Sequence, residues 1–388
     1  MLMKRESYLP YGRQWIDDKD IQAVVEVLKG DYLTTGPNIN QFEQAVADYV
    51  EAKYAVAFSN GTAALHGACF AAGIGDGDEV ITTPMTFAAS ANCVLYQGGA
   101  PVFADIDEHT YNIDPIEIEK KITEKTKAII PVDFTGQPVH LDSILEIAKK
   151  HNLIVIEDAA HALGATYKGR KVGSISDMTM FSFHPVKHIT TGEGGIITTN
   201  NREYYEKLLQ FRSHGITRDP DIMIRNEGPW YYEMQFLGYN YRMTDLQAAL
   251  GISQLSKIDR FVELRKKYVS MYNDAFKDLH AIQIPYQVKD GSSSWHLYII
   301  RLKREKLLVS RKQIFEALLN ENIGVNVHYI PVHLQPYYQK LGYQRGICPN
   351  AEKLYEEIIT LPLFPAMTED DVQDVIKAVT KVIRLYSK

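Results

Sequence analysis

The sequence predicts an α/β protein whose mostly parallel sheet is covered by helices on both faces. Between Tyr54 and Thr199, short apolar runs alternate with segments of helical periodicity. Wholly apolar runs are typical of strands buried on both faces, and strand–helix alternation is typical of a parallel sheet. The chain has 388 residues, more than one hydrophobic core usually organises, so a second domain is expected.

The elements of the first half follow from this alternation. The predicted strands are short apolar runs bounded by turn residues, at 54–59, 79–82, 101–105, 128–132, 153–157, 178–183 and 195–199. The predicted helices have apolar residues at helical spacing, at 62–72, 87–96 and 140–150. We therefore expect residues 1–250 to form a large ligand-binding α/β domain, with an N-terminal arm.

The second half has a less regular pattern. Residues 244–279 read as one long, bent helical region that links the domains, followed by strands at 295–302 and 325–329 and helices at 311–320 and 368–385. Such an irregular order predicts a smaller α+β domain over residues 251–388.

Composition and charge exclude several classes of protein. The net charge is −6 and no basic stripe recurs along a helix, so neither nucleic acid nor an anionic membrane is an expected partner. No apolar stretch approaches the roughly 18 residues of a membrane span, and residues 1–5 lack a signal-peptide core. The three cysteines are widely spaced, which argues against disulfides and a metal cluster. A cytoplasmic protein without a metal is expected.

Lys187 and Asp158 are the candidate catalytic residues. Lys187 follows the predicted strand 178–183 and precedes a Gly-rich turn, and Asp158 follows the strand 153–157. The ends of strands in a parallel sheet are where such folds bind ligands. A lysine that forms a Schiff base and a carboxylate that keeps a pyridine nitrogen protonated are the minimum requirement for holding pyridoxal phosphate. A solvated surface lysine and a helix N-cap aspartate are the alternatives.

A phosphate site is expected where a strand passes into a helix. Ser59-Asn60-Gly61-Thr62-Ala63 provides backbone N–H groups at a helix N-terminus, and its small residues allow close approach. An ordinary N-cap is an equally good interpretation. Neither Gly-rich stretch of the chain has the spacing of a dinucleotide-binding motif.

Three further positions could contact a cofactor or substrate. Phe87 precedes an apolar helix and could either stack on a pyridine ring or belong to the core. His161 lies one turn beyond Asp158 and could orient either reactive group. His328 and His333 flank a proline, which breaks helical metal-ligand spacing, so contact with substrate is the better interpretation of this pair.

Taken together, these motifs resemble the DegT/DnrJ/StrS family of pyridoxal-phosphate-dependent sugar aminotransferases. The resemblance extends over most of the chain, in residues 34–37, 59–62, 77–81, 157–161, 182–195, 238–242 and 328–338. It implies fold type I, the aspartate aminotransferase architecture, with a large PLP-binding domain and a small C-terminal domain. Within the family, residues 184–195 are most similar to the branch that aminates C4 of UDP-linked 4-keto-6-deoxy-N-acetylhexosamines towards pseudaminic acid.

The resemblance also implies roles for individual residues. Lys187 would be the Schiff-base lysine and Asp158 the partner of the pyridine nitrogen, with Phe87 covering the ring. The remaining cofactor contacts would come from Gly61, Thr62, Ala63, His161 and Ser182, and from Asn240 of the other subunit of a homodimer. His184, His328 and Tyr329 would lie near the sugar nucleotide. His161 stands where many relatives have glutamine.

The implied reaction is a ping-pong transfer of the amino group of L-glutamate to a keto sugar, with pyridoxamine phosphate between the two halves. Lys187 would serve as tether and as general base. Arg212, Arg218 and Arg242 are candidates for binding the carboxylate of glutamate. Other nucleotide-linked keto sugars, with amination at C3 or a dTDP group, are the alternatives. A dehydratase is disfavoured because its relatives carry histidine in place of the lysine, and a non-catalytic sensor because Lys187 and Asp158 are intact.

Overall fold

The computed structural model describes residues 5–388, so residues 1–4 of the predicted N-terminal arm lie outside it. Its helices are α1 (Asp18–Lys29), α2 (Pro37–Val50), α3 (Gly61–Ala71), α4 (Ala89–Tyr96), α5 (Pro115–Lys121), α6 (Leu141–His151), α7 (Arg202–Phe211), α8 (Asp245–Leu255), α9 (Ile258–Phe276), α10 (Arg311–Asn320), α11 (Pro336–Lys340), α12 (Pro349–Glu357) and α13 (Glu369–Tyr386). Its strands are β1 (Tyr54–Phe58), β2 (Glu79–Thr82), β3 (Ala100–Phe103), β4 (Thr126–Ile130), β5 (Ile154–Asp158), β6 (Thr166–Tyr167), β7 (Arg170–Lys171), β8 (Met178–Ser182), β9 (Gly195–Thr199), β10 (Ile216–Thr217), β11 (Glu233–Met234), β12 (Ile282–Gln283), β13 (Gly291–Ser292), β14 (Tyr298–Leu302) and β15 (Ile358–Leu361).

The large sheet confirms the predicted mostly parallel architecture. Its strand order is β1-β9-β8-β5-β4-β2-β3, and every neighbouring pair from β8 to β3 is parallel. Strand β9 is antiparallel to both β8 and β1. A parallel return needs a crossover, usually a helix, and the 12 residues between β8 and β9 contain none. The same connection carries Lys187, so its lack of a helix leaves the lysine on a loop.

Two layers of helices cover this sheet. On one face, Phe42 of α2 and Phe261 of α9 pack with Phe181 of β8 in one hydrophobic cluster. On the other face, Leu65 of α3 packs with Phe58 of β1 in a second cluster. Because helices bury both faces of the sheet, the strands are continuous apolar runs in the sequence and do not alternate between apolar and polar residues.

The C-terminal half contains a small antiparallel sheet, β12-β14-β15. The prediction of a strand at 325–329 was wrong, because in this segment only Asn326 forms an isolated bridge, with Thr360. The third strand of the small sheet is β15, which was not predicted from the sequence. The helical region 244–279 is two helices, α8 and α9, separated by Ser256 and Lys257. The N-terminal helices α1 and α2 were also missed.

The division at residue 250 stays a prediction, because α9 contributes to two cores. Its first turns place Ile258 and Phe261 in the cluster of the large sheet, whereas Tyr272 and Phe276 belong to the C-terminal cluster. Leu9, near the start of the chain, packs into the C-terminal cluster as well. The arm and α9 therefore tie the two halves together.

The three cysteines are free and buried. Among the helices of residues 5–388, none is both long enough and apolar enough to cross a lipid bilayer.

A buried ion pair fixes α2 against the end of α7. Arg212 pairs with Glu43 and donates to the carbonyl of Ala57 at 2.6 Å, and the N–H of Ala57 donates to Glu43 at 2.8 Å. Removing one member of a buried pair leaves the other charge uncompensated. We expect Arg212→Met to lower the free energy of unfolding by about 3–5 kcal/mol.

Urea denaturation monitored by circular dichroism would measure this loss. Arg202→Met is the control, because Arg202 pairs with Glu206 on the surface, where such pairs contribute little. Equal unfolding midpoints for the two variants would contradict the stabilising role of Arg212.

Candidate active site

The candidate active site is a cleft of ≈ 860 Å³ at the carboxyl ends of β5 and β8. These strands are parallel neighbours, with Asp158 opposite Met180, so the residues that follow each strand meet at one edge of the sheet. The C-terminal half supplies the opposite wall through His296 and residues 326–329.

Asp158 is buried at this edge, with 4% of its surface exposed. Its Oδ1 accepts the N–H of Ala160 at 3.1 Å, and its Oδ2 accepts the hydroxyl of Ser90 at 2.6 Å. Burial raises the pKa of Asp158, while these two hydrogen bonds and the charge of Lys187 oppose the rise. The carboxylate also lines the cleft, so it faces whatever the cleft holds.

Lys187 lies on the loop after β8 and lines the same cleft as Asp158, close enough for the two charges to interact. Its backbone N–H donates to the carbonyl of His184 at 2.9 Å, which makes the segment 184–187 a tight turn. Burial lowers the pKa of Lys187 to about 8, and the charge of Asp158 opposes this shift. The amine is therefore much closer to its neutral, nucleophilic form at physiological pH than a surface lysine is.

The strand–helix turn at the start of α3 lies beside the lysine loop. Asn60 is the N-cap of α3, and its side chain accepts the N–H of Ala63 at 2.8 Å. Thr62 and Ser182 line the same end of the cleft. Glycine is required here by packing: a Cβ on Gly195 would lie 2.6 Å from the backbone of Asn60. Close backbone contact thus places this helix N-terminus against β9.

Two glycines of the Gly-rich loop after Lys187 are required by packing within the protein. A Cβ on Gly194 would meet Thr191 and Met243, and Gly195 packs on Asn60. Of this loop, Glu193 lines the cleft, and Gly194 and Gly195 do not. Contact between protein segments is what restricts these two positions to glycine.

Neutral histidines and aromatic rings also line the cleft. His161 Nε2 is 3.1 Å from the hydroxyl of Tyr329. The ring of His296 packs on that of His161, with 4.4 Å between the two ring centroids. Burial lowers the pKa of His161 and His296 well below the ordinary value, and that of His328 to about 3. These imidazoles are uncharged at neutral pH, so Lys187 and Asp158 are the charged groups in the buried part of the cleft.

The structure brings together nearly all the predicted site residues. The cleft is lined by Gly61, Thr62, Ala63, Phe87, Asp158, His161, Ser182, His184, Lys187, His328 and Tyr329. Phe87 is 63% exposed, as an aromatic ring at the mouth of a binding site would be, and does not belong to the core. His333 does not reach the cleft, because it is buried against Glu352 at 2.9 Å.

Asn240 and the candidate arginines lie elsewhere. Asn240 is exposed and outside this chain's cleft, where a residue that serves another subunit would lie. The proposal of Arg212 as a glutamate-binding residue was wrong, because its guanidinium is buried and paired with Glu43. Arg218 and Arg242 do not line the cleft either.

Several residues of the cleft escaped the sequence analysis. They are Tyr11, Thr86, Tyr96, Tyr241, His296 and Asn326. Thr86 could have been found, since it directly precedes Phe87. Tyr241 lies within residues 238–242, one of the stretches that carry the family resemblance. The others come from parts of the chain with no motif of their own, and only the packing of the C-terminal half and the N-terminal arm brings His296, Asn326 and Tyr11 to the site.

These residues fit pyridoxal phosphate. Asp158 presents a carboxylate to the cleft, Lys187 presents an amine of lowered pKa, and the N-terminus of α3 offers a positive dipole end for a phosphate. At Gly61 a Cβ would stand 3.2 Å from the Cβ of Ser182, so this end of the cleft is kept open by glycine. The fold and the site define a fold-type-I, pyridoxal-phosphate-dependent enzyme.

The chain belongs to the DegT/DnrJ/EryC1/StrS aminotransferase family, whose model matches residues 14–380. It is 45% identical over 386 residues to the spore coat polysaccharide biosynthesis protein SpsC of Bacillus subtilis, covering 99% of each chain. It is 39% identical over 384 residues to the UDP-4-amino-4,6-dideoxy-N-acetyl-beta-L-altrosamine transaminase of Campylobacter jejuni, covering 98% of this chain and 99% of that one. The chain is therefore an aminotransferase.

Solved structures agree with this assignment. Helicobacter pylori PseC, an aminotransferase involved in the biosynthesis of pseudoaminic acid, superposes with a TM-score of 0.92 at 34% identity, over 98% of this chain and 100% of that chain. The putative sugar aminotransferase Spr1654 of Streptococcus pneumoniae matches in its PLP form with a TM-score of 0.91 at 32% identity, over 97% and 99% of the two chains. Pyridoxal phosphate is the cofactor of this family and of this enzyme, as expected from the sequence.

The lowered pKa of Lys187 predicts how the apoprotein takes up its cofactor. Only the neutral amine attacks an aldehyde, so the rate of imine formation with pyridoxal phosphate should rise with pH and level off above about 8. An ordinary lysine would continue to gain rate up to about pH 10. Stopped-flow absorbance across a pH series would measure this profile.

Lys187→Ala is the control, because it removes the amine and leaves the cleft otherwise intact. A rate that still climbs steeply at pH 9.5, or an imine that forms equally fast in Lys187→Ala, would contradict the assignment of this lysine.

Proposed function

We propose that this enzyme transfers the amino group of L-glutamate to the C4 keto group of a UDP-linked 4-keto-6-deoxy-N-acetylhexosamine, in the biosynthesis of a bacterial surface or coat polysaccharide. The observation that carries the proposal is the meeting of Lys187 and Asp158 in one cleft that is also lined by uncharged histidines. The names of the two relatives at 45% and 39% identity support a sugar substrate.

Each charged residue has a role in this reaction. Bound pyridoxal phosphate supplies an electron sink for the charge left when a C–H bond next to the nitrogen breaks. Asp158 would accept the N–H of the ring nitrogen and stabilise its positive charge. Lys187 would be the covalent tether and, when its amine is free, a base with a pKa of about 8 that can take and return a proton.

The uncharged residues bind and orient. The N–H of Thr62 and the hydroxyl of Ser182 lie at the N-terminus of α3, where a phosphate would receive donors and the helix dipole. The N–H of Ala63 is already bonded to Asn60, so it can bind a phosphate only if that cap shifts. Phe87 stands at the mouth, in position to cover the cofactor ring.

The polar, uncharged residues of the cleft are suited to binding a sugar. Tyr329, His161 and His328 present hydroxyl and imidazole groups, which can donate to and accept from sugar hydroxyls without charge. His184 is exposed at the rim and lines the same cleft. We assign His184, His328 and Tyr329 to the sugar nucleotide.

We also propose that the active enzyme is a homodimer with shared sites. The segment before Asn240 exposes large apolar side chains, including Ile224 at 91%, Leu237 at 76% and Trp230 at 69%, and patches of this kind mark protein interfaces. Among the described residues that line the cleft, Lys187 is the sole lysine or arginine. Anionic substrates need further cations, and Arg218 and Arg242 flank this segment.

The reaction can be tested with glutamate and a panel of UDP- and dTDP-linked 3-keto and 4-keto sugars, with the new amine located by mass spectrometry. We expect amination at C4 of the UDP-linked N-acetylhexosamine, and a loss of at least about 1,000-fold in Lys187→Ala, which lacks tether and base. Turnover of dTDP-linked or 3-keto sugars alone would replace the proposed substrate. Full activity in Lys187→Ala would remove the proposed mechanism.

The shared site can be tested by mixing two inactive variants. Lys187→Ala and Asn240→Ala dimers each lack a residue at both sites, but a mixed dimer contains one intact site if Asn240 acts across the interface. Random exchange of equal amounts should restore about one quarter of wild-type activity. No restoration, with exchange verified by native mass spectrometry, would mean that Asn240 serves its own chain.

A further inference from the structure

A chain of hydroxyl groups runs from the cleft wall to the buried carboxylate. Thr86 Oγ1 lies 2.7 Å from Ser90 Oγ, and Ser90 Oγ lies 2.6 Å from Asp158 Oδ2. Thr86 and Ser90 are 3% and 0% exposed, so water does not compete for these bonds. Phe87, at the mouth of the cleft, belongs to the same short segment.

The donor and acceptor capacities of these groups fix the direction of the two hydrogen bonds. An ionised carboxylate only accepts hydrogen bonds, so the single proton of the Ser90 hydroxyl must point at Asp158. Thr86 must then donate to Ser90, since Ser90 has no second proton to give. Each bond in such a row polarises the next, which strengthens the donor that reaches the carboxylate.

We propose that Ser90 is a positioning residue that, supported by Thr86, aims the Asp158 carboxylate at the cofactor's ring nitrogen and keeps that carboxylate ionised. The inference rests on the proposed role of Asp158. The Ser90 hydroxyl and the Ala160 N–H hold one oxygen each, which fixes the plane of the carboxylate. Its remaining acceptor sites are left for the cleft.

The physical need for such a residue follows from burial. A carboxylate removed from water tends to take up a proton, and a neutral Asp158 could not hold the ring nitrogen in its protonated form. Of the contributions that oppose the burial-driven rise in the pKa of Asp158, the hydrogen bond from Ser90 is the largest, ahead of the Ala160 N–H and Lys187. The hydroxyl therefore favours the ionised form of Asp158, and with it a proton on the ring nitrogen.

Nearby titratable groups do not supply this function. Glu157 and Asp133 are fully buried neighbours of Asp158, and the pKa of each is raised by burial. Glu157 Oε2 accepts from Ser176 at 2.9 Å and from Thr179 at 3.0 Å, on its own set of partners. Ser176 thus makes the same kind of bond as Ser90, to a buried carboxylate that does not line the cleft.

The test uses the wild-type enzyme and variants loaded with pyridoxal phosphate labelled with ¹⁵N in the ring. In Ser90→Ala the proton should move towards Asp158, and the ¹⁵N resonance at pH 7.5 should shift towards the unprotonated position, corresponding to about a tenfold change in the protonation equilibrium. The kcat should fall while KM for glutamate changes little, because the substrate contacts remain.

Ser176→Ala is the matched control and should keep the wild-type resonance, even if it loses similar thermal stability. Thr86→Val keeps the Ser90 hydroxyl but removes its donor, so a smaller shift in the same direction is expected. A folded Ser90→Ala variant with the wild-type resonance would overturn the inference. If Ser90→Ala fails to fold, a wild-type resonance in Thr86→Val overturns it.

This experiment distinguishes the role of Ser90 from the role of Asp158. An unprotonated ring nitrogen in the wild-type enzyme would overturn the role of Asp158 and, with it, the role of Ser90. A protonated nitrogen in the wild type that is insensitive to Ser90 and Thr86 would leave the proposed function standing and remove only the positioning role.

Discussion

Opposite charges held in one cleft are the constraint on which the rest of this structure depends. Asp158 ends β5, and Lys187 follows the neighbouring parallel strand β8. Burial works against both charges: it raises the pKa of Asp158 and lowers that of Lys187 to about 8. Each charge partly stabilises the other, so the site holds a carboxylate and an amine that can lose or gain a proton near neutral pH.

The elements around Asp158 and Lys187 orient these two side chains. Helix α4 brings the Ser90 hydroxyl to the carboxylate, and a glycine contact between Gly195 and Asn60 holds the N-terminus of α3 beside the lysine loop. His161 and His296 also line the cleft, and both imidazoles are neutral because burial lowers the pKa of each. An additional cation there would compete with Lys187 for Asp158.

In the single chain, the cleft is open to solvent. Phe87 is exposed at the mouth of the cleft, Asn240 lies outside it, and the segment before Asn240 carries Trp230 and other exposed apolar side chains. In the reaction that we propose, Lys187 and Asp158 handle the proton, whereas recognition of two anionic substrates needs charges from beyond this cleft. A shared site in a homodimer, as we propose, meets both needs.

The sequence by itself determined the strands of the large sheet and the residues that end them, because dry strands are wholly apolar and the side chains after them are local features of the chain. It likewise predicted Lys187 and Asp158 through their position after such strands. Tertiary structure alone decided that Ser90, His296 and Asn326 join the site and that Arg212 does not. Those outcomes depend on contacts between distant segments: Arg212 is neutralised by Glu43, 169 residues away, and Ser90 reaches Asp158 across 68. No periodicity or spacing along the chain records which side chains meet across such separations.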